Sequence, residues 1–209
     1  MKQVLVIISM FFAGILAAQS KYEGAMAKGL EQMKSAKTAE DFNAASAFFE
    51  RVADAEKDKW LPYYYAAYAN HITGWINPKA DKDKVAEKSK DLITKAELLE
   101  KGNAEIYCLH QMVAIQQMTV DPMTRWQTYG AEGRAALEKA IKADPNNPRI
   151  YYLNGQTLMG TPEAFGGGKA VAKKLFEKSV ELYKTYQPAS SFHPNWGKEE
   201  AEKLLAACQ

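Results

Sequence analysis

The chain repeats itself with a period of 44 residues, which restricts it to folds that stack similar units. The equivalent unit starts are 44 residues apart, and they are Trp60, Ala104 and Pro148. A tyrosine follows three residues after each start, at Tyr63, Tyr107 and Tyr151. Repeats of this length are typical of solenoids, in which each unit buries its apolar face against its neighbours.

A second set of positions repeats in step with these starts. Fifteen residues before each start lies a small residue, and these are Ala45, Ser89 and Gly133. Four residues later the chain has a bulky apolar residue each time, namely Phe49, Ile93 and Leu137. Three further on lies a small or slim one, namely Val52, Ala96 and Ala140. Because these positions share one face of a helix, the pattern predicts closely packed helix pairs.

Apolar residues recur at three- and four-residue spacing along most of the chain, as in "DFNAASAFFERVADA" and "KDLITKAELLEK". Alternating strand patterns bounded by turns are missing from the sequence. Residue pairs that end in proline, such as Asn77-Pro78, Asp144-Pro145 and Gln187-Pro188, separate the helical runs. We therefore predict an all-α fold.

The N-terminus has the order of parts of a secretory signal peptide. Lys2 precedes an apolar run from Val4 to about Ala18, and small and polar residues follow. The run is short for a membrane span, although an uncleaved anchor is the alternative. We predict a signal peptide over 1–18, Gln19 as the mature N-terminus, and an exported protein, periplasmic or secreted, that does not insert into a membrane after cleavage.

The junction "ALEKAIKADPNNPRIYYLNGQ" resembles that between two tetratricopeptide repeats. Gly133, Leu137, Ala140 and Pro145 have the spacing of the second helix of such a repeat, and Tyr151 begins a match to the first helix. The units are longer than the family's repeat of about 34 residues, and the additions fall between the two helices of a pair. The resemblance implies an α-α superhelix with extended loops. Residues 19–209 would form a single domain, with units at about 19–59, 60–103, 104–147 and 148–187 and a C-terminal capping helix within 188–209.

Tetratricopeptide proteins bind partners on the concave side of the superhelix, which the first helix of each pair lines. The resemblance therefore implies a non-catalytic protein that binds a protein or peptide, of unknown identity, in a concave groove. The predicted groove residues are Leu61, Tyr64, Tyr68, His71, Glu105, Cys108, Met112, Ile115, Arg149, Tyr152, Gln156 and Met159.

A second function remains open from the aromatic residues. The protein could be a small-molecule or glycan binding protein, or an auxiliary hydrolase, whose tryptophans stack on the ligand. The candidates for such a pocket are Trp60, Trp75 and Trp126. A closed aromatic pocket would favour this alternative, and an open concave surface would favour the groove.

Other chemistries find little support in the sequence. The formal net charge is +2, which indicates no nucleic-acid partner. The three histidines lack zinc-ligand spacing, and no serine, cysteine or carboxylate pattern marks a catalytic centre. We therefore predict no enzyme activity, no metal and no cofactor. Whether Cys108 and Cys208 form a disulfide stays open, as does the oligomeric state.

The segment "GTPEAFGGGK" superficially resembles a phosphate-binding loop. It lacks the first glycine and the hydroxyl residue of that motif, and a helix precedes it instead of a strand. We interpret Gly166 to Gly168 as a tight turn into the next helix, and anion binding by their amides stays open.

Overall fold

The computed structural model describes Gln19 and residues 21–208, so the predicted signal peptide lies outside the described residues. Within this part of the chain the regular structure is entirely helical, which confirms the all-α prediction. No described helix combines the length and the apolar character that a membrane span requires.

The helices are labelled in chain order. They are α1 (residues 21–35), α2 (Ala39–Ala55), α3 (Trp60–Ile76), α4 (Lys82–Leu99), α5 (Ala104–Met118), α6 (Pro122–Arg125), α7 (Ala131–Ala143), α8 (Pro148–Met159), α9 (Lys169–Tyr183) and α10 (Lys198–Ala207). A π-helical turn, Trp126–Gly130, joins α6 to α7, and a 3-10 turn, Glu163–Phe165, lies between α8 and α9.

The three repeat starts are also the first residues of three helices, α3, α5 and α8. Local capping accounts for two of these boundaries. The side chain of Asn103 accepts hydrogen bonds from the first amides of α5, and Asn147 does the same for α8. An asparagine at this position satisfies amides that have no partner inside the helix.

Helices pack in the pairs that the repeat predicts: α3 with α4, α5 with α7, and α8 with α9. Glycine permits the close approach of α8 and α9. A Cβ atom on Gly155 of α8 would lie 2.6 Å from Phe176 Cε1 of α9. The first helices of successive pairs, α3, α5 and α8, also contact each other and thus form one side of the stack. The division into one domain and four units stays a prediction.

The segment before α10 folds back over the first helices, and we call residues 187–197 the C-terminal strap. The Tyr65 hydroxyl donates a hydrogen bond to Phe192 O at 2.8 Å, and Trp196 Nε1 donates to the Tyr64 hydroxyl at 3.0 Å. From the sequence we predicted only a C-terminal capping helix within 188–209. Tyrosine hydroxyls of α3 instead bind the strap to the inner side of the stack.

The glycine-rich segment is a turn that satisfies its own amides. Gly166 and Gly168 have φ values of 81° and 98°, which L side chains rarely adopt. The amides of Gly166, Gly167 and Gly168 donate to the carbonyls of Glu163, Pro162 and Leu158. All three amides are therefore engaged inside the turn, as the structural interpretation of this segment predicts.

Candidate ligand-binding cleft

An open cleft of about 590 Å³ lies on the inner side of the stack. Its walls come from α3, α5 and α8, and the strap and the start of α10 close one end. The lining residues are Tyr68, His71, Ile72 and Trp75 of α3, Gln111, Met112 and Ile115 of α5, Tyr152, Leu153, Gln156 and Thr157 of α8, and Trp196, Gly197 and Glu200.

Two aromatic rings from distant parts of the chain form one end of the cleft. The rings of Tyr68 and Trp196 are nearly parallel, with centroids 5.3 Å apart and planes at 14°. Tyr152 meets Trp196 edge to face at 6.3 Å. Hydrogen bonds fix both the side chain and the backbone of Trp196. Its indole Nε1 donates to the Tyr64 hydroxyl, and its backbone carbonyl accepts from the Tyr183 hydroxyl at 2.7 Å.

The two cleft tyrosines are uncharged at neutral pH. Burial raises the pKa of Tyr68 well above its ordinary value of 10.0 and that of Tyr152 to about 12. Deprotonation would place a phenolate in an apolar surrounding, and that costs free energy. The cleft therefore presents neutral aromatic faces that suit a flat apolar ligand.

His71 lies in the wall of the cleft but is only 2% exposed. Its Nε2 accepts a hydrogen bond from Trp75 Nε1 at 3.1 Å, so the remaining proton of the neutral ring belongs to Nδ1. Burial lowers the pKa of His71 from 6.5 to about 4. The imidazole is therefore neutral at physiological pH, and its Nε2 lone pair is engaged by Trp75.

This pKa predicts a loss of stability in mild acid. The unfolded chain takes up a proton near pH 6.5 and the folded chain only near pH 4, so stability is full above pH 6.5 and falls as the pH drops towards 4. Between pH 7.5 and pH 5 we expect His71 to cost about 2 kcal/mol of unfolding free energy. Urea unfolding at the two pH values measures the change.

The matched variant for this measurement is His71→Gln, which keeps a hydrogen-bond acceptor for Trp75 but does not titrate. Its pH dependence should be smaller than that of the parent by the same amount, because the other histidines are present in both proteins. Equal pH dependence in the two proteins would contradict a buried neutral His71.

Charged side chains of opposite sign lie beside the cleft: Lys82 contacts the lining residue Trp75, and Glu200 is itself a lining residue. Lys82 Nζ lies 4.4 Å from the centroid of the Trp75 ring and donates to Thr119 Oγ1 at 3.3 Å. Among the described residues this ammonium has no carboxylate partner within 4.0 Å. Glu200 lines the cleft near Trp196. Tyr68 and Trp75 are seven residues apart on α3, so the ends of the cleft at these two residues are separated by about 10 Å.

Half of the residues predicted from the sequence lie at this cleft. The six that line it are Tyr68, His71, Met112, Ile115, Tyr152 and Gln156. Five others are buried and do not line it: Leu61, Tyr64, Glu105, Cys108 and Arg149. Met159 packs against the core at the end of α8. Ligand binding by any of the twelve stays a prediction.

The sequence interpretation missed Trp196 altogether as a cleft residue. It lies outside the 44-residue period, and the only hint is its place in the aromatic segment "FHPNW". Of the three tryptophans proposed for an aromatic pocket, Trp75 lines the cleft. Trp60 packs against Tyr64 and His193 instead, and Trp126 is 51% exposed on the π-helical turn.

The two cysteines are not joined to each other. Cys108 is fully buried, and burial raises its pKa well above the ordinary value of 9.0. A thiol in this state is a poor nucleophile, because the thiolate is the reactive form.

The fold and the cleft together define an all-helical protein with an aromatic cleft on the inner side of a helical stack. A solved structure, the HusA haemophore from Porphyromonas gingivalis, matches it with a TM-score of 0.82 and 37% sequence identity. The match covers 90% of this chain and 92% of that one, so the chain belongs to the same family as HusA. No protein-family model and no curated protein matches the chain, and the tetratricopeptide resemblance therefore stays a prediction.

Proposed function

We propose that this protein is an exported, non-catalytic binding protein for haem or a closely related porphyrin, which it holds in the cleft. The observation that carries the proposal is the end wall, where Tyr68 and Trp196 present parallel rings beside an open space. The family relationship supports it, because the related protein is a haemophore.

The size and lining of the cleft suit such a ligand. Small-molecule sites usually enclose ~300–1,000 Å³, and this cleft has about 590 Å³. A porphyrin has two flat apolar faces, which gain from contact with aromatic rings and with the side chains of Met112 and Ile115. Its carboxylates need a polar or cationic surrounding. The end of the cleft at Trp75, which we call the outer end, offers this because Lys82 lies there.

These features favour the small-molecule alternative over a protein or peptide groove. The strap occupies the part of the inner surface above Tyr64 and Tyr65, where an extended peptide would otherwise lie. We further propose that the helix pairs are tetratricopeptide-like units. The strap covers part of their concave side, and the uncovered part is the cleft. The predicted signal peptide agrees with a carrier that acts in the periplasm or outside the cell.

Titration of the mature chain with haem tests the proposal. We expect a saturable shift of the Soret band with one haem per chain. Trp75→Ala should weaken binding, whereas Trp126→Ala should not, although the two tryptophans are similarly exposed at 47% and 51%. Absence of saturable binding by haem and by metal-free porphyrin, or equal effects of the two variants, would contradict the proposed site.

The charge at the outer end predicts how the ligand is oriented. A porphyrin should place its carboxylates towards Lys82 and away from Glu200, because the first pairing is favourable and the second repulsive. Replacing Lys82 with glutamine should weaken haem binding by about two- to fivefold, the range for a partly exposed ion pair. Isothermal titration at low salt measures this change.

The control variant is Lys84→Gln, because Lys84 lies on the same helix with its side chain 82% exposed and pairs with Asp81. It should bind haem like the parent. A porphyrin dimethyl ester, which lacks the charges, should bind both variants equally. Loss of ester binding in Lys82→Gln would show that Lys82 acts on the cleft in another way.

A further inference from the structure

The largest fully buried side chain among the described residues belongs to an arginine that is not part of the cleft lining. Arg149, the second residue of α8, is fully buried. Its Nε donates to Glu105 Oε2 at 2.7 Å, and its Nη2 donates to Glu105 Oε1 at 2.6 Å. Asn147 Nδ2 also donates to this carboxylate. The pair therefore joins the beginnings of α5 and α8.

The remaining donors of the guanidinium bind the strap. Nη1 donates to Trp196 O at 3.1 Å, and Nη2 donates to Pro194 O at 2.9 Å. The hydroxyl of Tyr186, just before the strap, also lies within hydrogen-bond distance of Nη2 and shares one of its two hydrogens with the other acceptors. The guanidinium carbon lies 5.3 Å from the centroid of the Trp196 ring. One side chain thus binds two carbonyl groups near the C-terminal end of the strap, and one of them belongs to Trp196 itself.

Comparison of the three repeat units shows that the residue directly after a unit start does not have to be charged. Leu61, Glu105 and Arg149 occupy the same place, one residue after the start of each first helix. All three are buried, and leucine serves in the first unit. A buried ion pair is often no more stabilising than apolar residues of similar size. Stability alone therefore does not explain why an arginine is present at this position. Its hydrogen bonds to the carbonyl groups of the strap do explain it.

Arginine suits this task because its planar guanidinium has five N–H donors in a fixed arrangement. Burial alone would lower the pKa of Arg149, but hydrogen bonds to Glu105 and its charge raise it above the ordinary value. The side chain thus stays charged and keeps all donors. Lysine has a single ammonium group on a flexible stem and cannot bind Glu105, Pro194 and Trp196 in the same geometry.

We propose that Arg149 is a positioning residue for ligand binding: it holds the strap so that Trp196 stays parallel to Tyr68 as the end wall of the cleft. This rests on the proposed function for its effect on affinity. Arg149 acts through Trp196 and does not contact the ligand.

The test uses the full mature chain labelled with 5-fluorotryptophan, which gives one ¹⁹F NMR signal for each of the four tryptophans. Trp196→Phe assigns the signal of Trp196. In Arg149→Lys we expect that signal to shift and broaden while the signal of Trp126 stays unchanged. Haem affinity should fall by about tenfold. Ile93→Ala, at a buried position of α4 that has no contact with Arg149 or Trp196 among their hydrogen bonds and ring contacts, serves as a control for lost stability.

The outcomes separate the possibilities. If Arg149→Lys lowers the melting temperature like Ile93→Ala but leaves the Trp196 signal and the haem affinity unchanged, the role is only structural and the proposal is wrong. If the parent binds no porphyrin, the proposed function fails, while the Trp196 signal still reports on the strap. Should Arg149→Lys not fold, Glu105→Gln replaces it. That variant should shift the same signal and weaken binding two- to threefold, and an unchanged signal would overturn the proposal.

Discussion

Replacing Trp196 with alanine is expected to weaken haem binding by about 30- to 100-fold while the helical fold stays intact. The change removes one of the two parallel rings and opens the end of the cleft. Aromatic contacts are worth about 0.5–1.5 kcal/mol beyond the area they bury, and lost burial of an apolar side chain adds about 1.5–3 kcal/mol. We expect Tyr68 and Tyr152 to rearrange and to offset the upper part of this free-energy sum, which limits the loss of affinity to about 100-fold.

Trp196→Phe is the matched variant for this prediction. It keeps an aromatic ring but loses the Nε1 donor to the Tyr64 hydroxyl, so its affinity should lie between those of the parent and the alanine variant. Fluorescence quenching by haem and circular dichroism measure affinity and fold. An alanine variant that binds haem as tightly as the parent would show that the ligand lies elsewhere.

Replacing Glu105 with alanine is expected to lower the unfolding free energy by about 3–5 kcal/mol. The change leaves the guanidinium of Arg149 buried without a counter-charge, which costs far more than the pair itself contributes. Urea unfolding at neutral pH measures the loss. Asp83→Ala is the control, because Asp83 also pairs with an arginine, Arg125, at 2.7 Å, but with side chains 36% and 27% exposed. It should cost at most about 1 kcal/mol.

A double variant separates stability from the shape of the cleft. Glu105→Leu combined with Arg149→Leu removes both buried charges and copies the leucine that the first unit has at Leu61. Its stability should recover most of the loss seen in Glu105→Ala. Haem binding should stay weak, since leucine cannot donate hydrogen bonds to Pro194 and Trp196. A double variant with full stability and full binding would contradict the role of these hydrogen bonds.

Helix starts and buried helix faces that recur with the 44-residue period could be predicted from the sequence. Helix starts at Trp60, Ala104 and Pro148 follow from the period, and the structure adds capping residues before α5 and α8. The buried faces of α2, α4 and α7 follow from their small and bulky residues, because packing between neighbouring helices depends on spacing along the chain. The glycine segment could be interpreted as a turn because it lacks required residues of the phosphate-loop motif.

The cleft could be predicted only in part. Tyr68, Met112 and Tyr152 lie on first helices, so the resemblance to tetratricopeptide repeats placed them on the inner side. The same reasoning gave no way to tell them from Tyr64 or Cys108, which are one turn away and buried. That distinction depends on what covers each side chain, and here the strap covers Tyr64.

The sequence by itself determined an all-helical chain of repeated pairs, because the signals for helix starts, helix faces and turns are local. Only the tertiary structure decided that residues 187–197 return to α3, that Arg149 and Glu105 form a buried pair, and that Trp196 closes the cleft beside Tyr68. These contacts join residues from 44 to 132 positions apart. They depend on long-range packing and hydrogen bonding, for which the repeat pattern carries no signal.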